Sequence, residues 1–375
     1  MRKAPTLKSG SPVHSRREVL QQMSLAVAAA GMPFGLAQGA LAQAGTLDVL
    51  MGPSAVLPAL LDMFQKQTGI KVQPAPYVSP TDVMTKLFVP GGGSRFDVVA
   101  TLTDFTRPAM GEAVGKELIL PWTEAEVPNS RHVMPLFRDD LLTKGGKNYT
   151  LPFYWGYDSV VYNRDKIKDD DPMIQSWGIL FDDRFKGKVA LRDDAHQSLL
   201  VTALFLGNKD PLAMERSDLK QVVDFLISKK KNFRTLWSKF AEAVGLLSSG
   251  EVWAMYGWIL VRTTLQNQGM NVTNNWPREG LLWWGQAAMI PKESRNPKAA
   301  FQFMDFLLSR EYGEQLTKLN GGILSASTLA QQAFSEEERR KLGYDIMQRN
   351  LNLFRLGLPK RLDLWNEAWA EFKSA

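Results

Sequence analysis

The sequence predicts an α/β fold in which parallel strands are joined by helices. Residues 47–51 form a short apolar run, residues 56–64 place apolar side chains on one face of a helix, and residues 70–72 begin a second apolar run. Gly69 has the position of a C′ glycine that ends the helix. A strand, helix, strand order implies parallel strands and a right-handed crossover. The length of 375 residues is enough for two domains.

The alternation of strands and helices continues along the chain. Ser54, in the turn after the first strand, is the expected N-cap of the first helix. Residues 149–162 are expected to be extended, with breaks at Pro152 and Gly156. Apolar runs predict further strands over 96–100, 189–191, 252–258 and 281–290, and helices are expected over about 80–88, 217–230 and 237–248 and from Ser198 onward.

Three helices near the C-terminus are predicted from capping and periodicity. Asn296-Pro297 begins a helix that is expected to run to Leu308, with Pro at its first position. Ser335 and Glu338 have the spacing of a capping box. A last helix is predicted because one face collects the apolar side chains Leu362, Trp365, Trp369 and Phe372.

Residues 1–44 have the anatomy of an export signal. Arg16-Arg17 precedes an apolar segment over 23–30, and small residues suitable for cleavage follow at 40–44. The segment 15–20 resembles a twin-arginine signal, and a generic secretory signal is the alternative. Because Pro33, Gln38 and the glycines interrupt the apolar run, a membrane anchor is not expected. We therefore expect a periplasmic protein.

Charge and cysteine content exclude several classes of protein. The formal charge is +6, but residues 45–375 hold 40 basic and 38 acidic residues, which gives no reason to expect nucleic-acid binding. The chain has no cysteine, so it can form neither a disulfide nor a lipid-anchored cysteine. Only His132 and His196 remain after residue 44, and no metal-binding spacing or nucleophile motif is present. We expect no enzyme activity, cofactor or metal, and therefore a binding protein.

Tryptophans are concentrated between residues 250 and 291, which hold five of the eleven in the chain. A Trp at a strand end offers a flat face that attracts a cation. A place in the hydrophobic core is the alternative for each of them, since aromatic side chains bury large areas.

Several segments resemble one family in the same order along the chain. They include FQKQTGIKV at 64–72, FDVV at 96–99, LPFYWG at 151–156, FKGKV at 185–189, LRDDA at 191–195, GEV at 250–252, Trp284, and AMIP at 288–291. Over roughly residues 47–330 the chain is similar to the periplasmic solute-binding proteins of ABC importers, in the spermidine/putrescine-binding branch.

This resemblance implies a two-lobe periplasmic-binding-protein fold, type II-like, with crossing hinge strands and a ligand in the cleft. Lobe 1 would comprise residues 45–152 and 288–375, and lobe 2 residues 153–287. The implied function is capture of a small amine-containing solute for a membrane permease, and a monomer is expected.

The resemblance also implies site residues. The family's stacking tryptophans match Trp258 and Trp284, and its second-lobe acid matches Asp194, which is expected to meet the ligand's cation. Two family acids are replaced by Gln197 and Gln286. Further candidates near family positions are Ser54, Thr103, Asp104, Trp155 and Asp158.

The departures leave the ligand class open. A buried ammonium needs carboxylate partners, and two carboxylates have become amides while Asp104 or Asp158 could replace them. A helix start at Ser54 would instead favour an anionic group. A polyamine or related amine is the main hypothesis; a zwitterionic, anionic or metal-complex solute is the alternative on the same fold. An exported enzyme that uses the cleft is the alternative of another class.

Overall fold

Two long antiparallel strands form the centre of the structure and connect its two halves. The computed structural model describes residues 45–375, so the predicted export signal over 1–44 lies outside the described residues. The strands are β1 Thr46–Leu50, β2 Lys71–Pro74, β3 Val98–Leu102, β4 Thr143–Lys144, β5 Lys147–Asn148, β6 Leu151–Asn163, β7 Val189–Arg192, β8 Phe233–Trp237, β9 Ala254–Trp258, β10 Val272–Asn274, β11 Leu281–Met289, β12 Leu324–Ser325 and β13 Leu353–Arg355. All except β4 and β5 belong to one sheet.

The helices lie between these strands along the chain. They are α1 Pro58–Thr68, α2 Pro80–Phe88, α3 Thr103–Gly115, α4 Ala195–Phe205, α5 Arg216–Lys229, α6 Phe240–Ser248, α7 Ile259–Asn267, α8 Pro297–Leu307, α9 Arg310–Asn320, α10 Thr328–Gln331, α11 Glu336–Leu342 and α12 Leu362–Ser374. Short 3-10 turns fill much of the remaining chain. Among residues 45–375, no helix combines the length and the apolar character that crossing a membrane requires.

The strand order shows how the halves are joined. The sheet runs β2-β1-β3-β11-β6-β9-β7-β8. Strand β1 is parallel to both β2 and β3, which confirms the predicted strand, helix, strand start. One end of β11 pairs with β3, and one end of β6 pairs with β9. The two strands pair with each other over residues 151–158 and 282–288, so both pass from the first half of the sheet, β2-β1-β3, to the second half, β9-β7-β8.

Each half has its own hydrophobic packing. In the first half, Val49 packs into the core with α1, α8 and α9, while Leu50 faces the smaller core with α2 and α3. This alternation is the period of two expected for a sheet covered on both faces. In the second half, the buried side chains of β7 and β9 pack with α4 and α5. Trp284, on β11, is in contact with the cores of both halves.

The last helix does not lie where the lobe boundaries placed it. Three of the four side chains predicted for the apolar face of α12, Trp365, Trp369 and Phe372, are buried, whereas Leu362, at the first position of the helix, is exposed. These side chains belong to the core of the second half, where α12 packs against α4 and α5. Residues 288–375 therefore do not all pack with the first half, because the chain returns to the second half after β13. No capping or periodicity signal indicates that return.

Several local predictions are confirmed. Gly69 follows α1 with a φ of 74° and donates its N–H to the Gln65 carbonyl, as a C′ glycine does. Pro297 is the first residue of α8. Ser335 and Glu338 make both hydrogen bonds of the predicted capping box.

Two local predictions are wrong. Ser54 is not a helix N-cap, because residues Pro53–Ala55 form a 3-10 turn and α1 begins later, after Leu57. The chain is extended before Pro58, as the residue before a proline prefers. The expected breaks at Pro152 and Gly156 are also absent, since both lie inside β6. The register between β6 and β11 shifts next to Pro152, and this irregularity accommodates a residue that has no N–H to donate.

Candidate functional site

A cavity of about 330 Å³ lies beside the central strands, where residues from both halves of the sheet meet. Its volume equals roughly eleven water molecules at liquid density, which suits a small solute. The lining residues are Pro80, Leu102, Asp104, Phe105, Asp158, Arg192, Asp194, Gln197, Trp258, Leu260, Trp284 and Leu356.

The fold explains why these side chains converge. Strands β3 and β9 run directly into the start of a helix, β7 is followed by a helix after two residues, and cavity residues lie at those three junctions. Asp104 is in the first turn of α3, Asp194 precedes α4, and Trp258 precedes α7. Ligands of α/β sheets commonly bind outside the carboxyl ends of the strands.

Six of the ten predicted site residues line this cavity: Asp104, Asp158, Asp194, Gln197, Trp258 and Trp284. The cavity thus brings together three carboxylates and two tryptophans that are separated by up to 180 positions in the sequence.

Asp158 is the most enclosed of the acids. It lies in the middle of β6 and is 2% exposed. The Tyr256 hydroxyl donates to its Oδ2 at 2.5 Å, and Trp284 Nε1 donates to its Oδ1 at 2.9 Å. Burial raises the pKa of Asp158 to about 6, against the two hydrogen bonds and nearby Arg192, which lower it. The site therefore holds an acid that is incompletely compensated.

Asp104 is buried next to this acid and has fewer partners. Its side chain is 3% exposed, and its Oδ1 has no hydrogen-bond partner among the described residues. Burial raises the pKa of Asp104 well above its ordinary value; Arg355 opposes this shift and Asp158 adds to it. Arg355 also forms an ion pair with buried Asp140, so its charge is shared between two carboxylates.

Asp194 has a structural contact that the other two acids lack. It is the N-cap of α4, and its Oδ1 accepts the Gln197 backbone N–H at 3.1 Å. With the Gln197 amide oriented to satisfy both of its ends, the nitrogen donates to Asp194 Oδ2 at 3.1 Å and the oxygen accepts from Arg192 Nη1 at 3.2 Å. Gln197 thus links an acid and a cation on the wall of the cavity.

Arg192 covers one face of a predicted stacking residue. Its guanidinium lies 4.7 Å from the centre of the Trp258 ring, a cation–π distance. Trp237 contacts the same ring edge-to-face at 5.1 Å. Part of the Trp258 surface that we expected to receive a ligand cation is therefore occupied by a cation of the protein.

Trp284 is positioned by a glycine on the neighbouring strand. Gly156 pairs with Trp284, and a Cβ at Gly156 would lie 2.4 Å from Trp284 Cζ2. The absence of a side chain there lets the indole lie against β6, where its N–H reaches Asp158. Tyr154 contacts the indole edge-to-face at 6.3 Å.

Four predicted site residues do not line the cavity. Trp155 is fully buried in the first-half core and donates Nε1 to the Ser325 carbonyl at 3.1 Å. Thr103 donates its hydroxyl to the Gly285 carbonyl at 3.2 Å. Ser54 accepts at its carbonyl from Asn320. Gln286 is buried beside Gly52, and its Oε1 lacks a partner among the described residues.

The other six lining residues are not among the predicted site residues: Pro80, Leu102, Phe105, Arg192, Leu260 and Leu356. Arg192 had a usable signal, since it directly precedes the acidic pair at the end of a predicted strand. Phe105 contacts His196 edge-to-face at 5.3 Å, so α3 and α4 touch beside the cavity. Among residues 45–375, no cluster of three or more His, Asp or Glu side chains is arranged to hold a metal ion.

Comparisons with known proteins agree with this architecture. The sequence model of the bacterial extracellular solute-binding proteins matches residues 59–338. Spermidine/putrescine-binding periplasmic protein 1 of Haemophilus influenzae is 27% identical over 258 residues, which cover 69% of each chain. The putrescine-binding periplasmic protein PotF of Escherichia coli is 24% identical over 368 residues, which cover 92% of this chain and 96% of PotF.

Solved structures have the same fold. The spermidine/putrescine ABC transporter substrate-binding protein PotD of Streptococcus pneumoniae superposes with a TM-score of 0.73 at 20% identity. The superposition covers 88% of this chain and 99% of the other. It confirms the predicted two-lobe α/β fold.

Proposed function

Because this chain belongs to the bacterial extracellular solute-binding proteins, we propose that it is the substrate-binding subunit of an ABC importer and captures a small amine-containing solute in the cavity described above. One observation carries the choice of ligand. Asp104 and Asp158, both nearly inaccessible to solvent, lie on the wall of one cavity with two tryptophans.

The physical reason is charge compensation. Burial of a carboxylate away from water is costly unless a cation or several donors compensate it. Asp158 has two neutral donors, and Asp104 shares the charge of Arg355 with Asp140. A ligand ammonium in the cavity would supply the missing positive charge, while the tryptophans would enclose its apolar part.

The relatives support this choice, since those reported above are named for spermidine or putrescine binding. They are binding proteins rather than enzymes, and we expect the bound solute to be released unchanged. The partners would be one membrane permease and the solute, with the protein acting as a monomer in the periplasm and without nucleic acid.

Binding can be tested with the purified exported protein. Linear diamines, polyamines, monoamines and organic acids would be screened by thermal unfolding and then by calorimetric titration. A ligand at 100 times its Kd should raise the free energy of unfolding by about 2.7 kcal/mol. The proposal requires a saturable 1:1 titration with an amine, and recovery of that amine intact by mass spectrometry. Stabilisation by organic acids alone would contradict it, and conversion of the amine would support an enzyme.

Export has a separate test. Arg16-Arg17 before the apolar run motivates a twin-arginine signal. Replacing both with Lys keeps the charge and removes the pair, so the precursor should accumulate in the cytoplasm. Cell fractionation measures the outcome, with Lys3→Arg as the control substitution. An unchanged periplasmic yield would indicate a generic secretory signal instead.

A further inference from the structure

We infer that the solute carries a carboxylate as well as an amine, and that Arg192 is the residue that binds the carboxylate. The inference rests on the proposed function, because it adds a second ligand group to the same cavity. It makes the ligand an amino acid with separated charges rather than a diamine.

The first observation is a cation without a carboxylate partner. Arg192 lines the cavity, and within the described residues no carboxylate oxygen lies within 4.0 Å of its guanidinium nitrogens. One N–H has an acceptor, the Gln197 amide oxygen at 3.2 Å. A guanidinium has five N–H donors in a planar fork that matches a carboxylate. Most of the hydrogen-bonding capacity of Arg192 is therefore available to a ligand.

The second observation is that the guanidinium is held in place. It lies over the Trp258 ring at 4.7 Å, and Gln197 fixes one of its edges. Gln197 is itself tied to Asp194 at the start of α4. An arginine held by an aromatic face and an amide loses little freedom when it binds an anion. This is the arrangement of a preorganised carboxylate site.

The third observation is that a second ammonium would be poorly placed here. A diamine needs an acid at each end. On the wall formed by the second half of the sheet, the Asp194 carboxylate is already engaged by the backbone N–H and the side-chain amide of Gln197, and Arg192 adds a positive charge beside it. Like charges in a partly desolvated cavity repel each other strongly. Arg192 also covers a face of Trp258 that a ligand cation would otherwise use.

The acids that suit the amine come from elsewhere in the cavity. Asp104 belongs to the first half of the sheet and has a buried oxygen without a hydrogen-bond partner among residues 45–375. Asp158 belongs to the central strand β6. The amine would therefore bind toward the first half and the centre, and the carboxylate toward the second half. A ligand with both groups would connect the two halves.

Four matched four-carbon probes test the inference by calorimetric titration of the exported protein: 4-aminobutanoate, 1,4-diaminobutane, butylamine and butanoate. We expect 4-aminobutanoate to bind at least tenfold more tightly than the other three. The same comparison with three-, five- and six-carbon chains covers the case in which the spacing differs. If none of these compounds binds, the inference fails, while the proposed function still stands if a longer polyamine of the wider screen binds.

The variant Arg192→Gln gives the decisive comparison. It should weaken binding of the amino acid by about 10- to 150-fold, the range for a hydrogen bond to a charged group, and leave diamine binding equal or tighter. Arg192→Lys keeps the charge without the fork and should be intermediate. Arg184→Gln is the control, since Arg184 also lies over an aromatic ring, Phe185, but outside the cavity.

The outcomes separate the two claims. If a diamine binds best and Arg192→Gln does not lower the affinity for the amino acid, the inference fails while the proposed function stands. If only butanoate and its homologues bind, the amine proposal fails as well. Circular dichroism and thermal unfolding of each variant establish that it is folded, and Arg192→Lys provides the comparison if Arg192→Gln is not.

Discussion

Asp158 and Asp194 line the same cavity, yet the chain holds them in different ways. Asp158 lies in the middle of a central strand, 2% exposed, and receives hydrogen bonds from Tyr256 and Trp284. Asp194 lies at the start of α4, is more accessible, and accepts the Gln197 N–H. Asp194 therefore already has a role in folding, whereas Asp158 is costly to bury and the two side chains that donate to it are neutral.

This difference changes which acid is expected to contribute most to binding the ligand amine. The family resemblance favours Asp194 as the main partner of a ligand cation. A carboxylate whose charge already stabilises a helix N-terminus gains less from a ligand than one that is buried without a cation. We therefore propose that Asp158, with Asp104 beside it, contributes more to amine recognition than Asp194 does.

The largest effect is expected from Asp158→Asn. This change removes the charge at nearly constant size, so affinity for the identified amine should fall at least 100-fold, the upper part of the range for a charge-assisted hydrogen bond. Calorimetric titration measures the loss, with circular dichroism as the test of folding. Asp193→Asn is the matched control, because Asp193 pairs with Lys373 and Trp369 outside the cavity. If both variants lose the same affinity for the amine, Asp158 has no specific role in binding it.

A smaller effect is expected from Trp284→Phe. Phenylalanine retains an apolar wall but cannot donate the hydrogen bond that Trp284 Nε1 makes to Asp158 at 2.9 Å. Affinity for the amine should fall about tenfold, in the lower part of the range for such a bond. Trp258→Phe, titrated in parallel, changes the other wall without touching that bond. If Trp284→Phe lowers the affinity less than Trp258→Phe does, the hydrogen bond from Trp284 to Asp158 is not what makes Trp284 the more important tryptophan for binding.

The pH dependence gives the next test of the same acid. The pKa of Asp158 is raised to about 6, so below that pH the empty site holds a proton that a bound ammonium would displace. Affinity should therefore fall by up to tenfold for each pH unit below about 6 for each proton released. Asp104, whose pKa is also raised by burial, acts in the same direction.

Titrations from pH 5 to 8 in buffers of different ionisation enthalpy would measure both the affinity and the protons released. Asp158→Asn should make the dependence shallower. A flat profile in the parent protein would mean that neither buried acid changes its protonation when the amine binds.

Most of the fold follows from local patterns. The first strand, helix, strand unit and the capping box at Ser335 are determined by apolar spacing and by side chains within a few residues. The continuous strand through Pro152 could not be predicted in this way, because the register shift that accommodates it involves β11, over 100 residues later.

The site is less predictable for the same reason. Asp104 and Trp258 stand out as an acid and an aromatic at the ends of strands β3 and β9, and the cavity contains them together with Asp158 and Trp284, which lie inside β6 and β11. Leu356 carries no signal, since its place depends on the pairing of β13 with β11. Arg192 could have been noticed beside Asp193-Asp194, but its position over Trp258 depends on how β7 and β9 pair in space.

The smallest effect on binding is expected at Asp194, where two substitutions separate folding from recognition. Asparagine is as good an N-cap as aspartate, so Asp194→Asn should change the free energy of unfolding by only a few tenths of a kcal/mol. Asp194→Ala removes the acceptor of the Gln197 N–H and should cost about 1 kcal/mol, measured by urea unfolding. The difference between the free energies of unfolding of the two variants measures how much the N-cap hydrogen bond stabilises the protein.

The affinities of the same two variants for the amine then measure how much the negative charge of Asp194 contributes to binding. Asp194→Asn should lower the affinity for the amine by less than tenfold, because Asp158 and Asp104 remain and the Asp194 carboxylate is already engaged by Gln197. Asp194→Ala should weaken it more, since loss of the cap also releases the Gln197 amide that holds Arg192. If Asp194→Asn lowers the affinity for the amine as much as Asp158→Asn does, the two acids contribute equally to binding. Recognition would then depend on the total negative charge of the cavity rather than on the burial of one carboxylate.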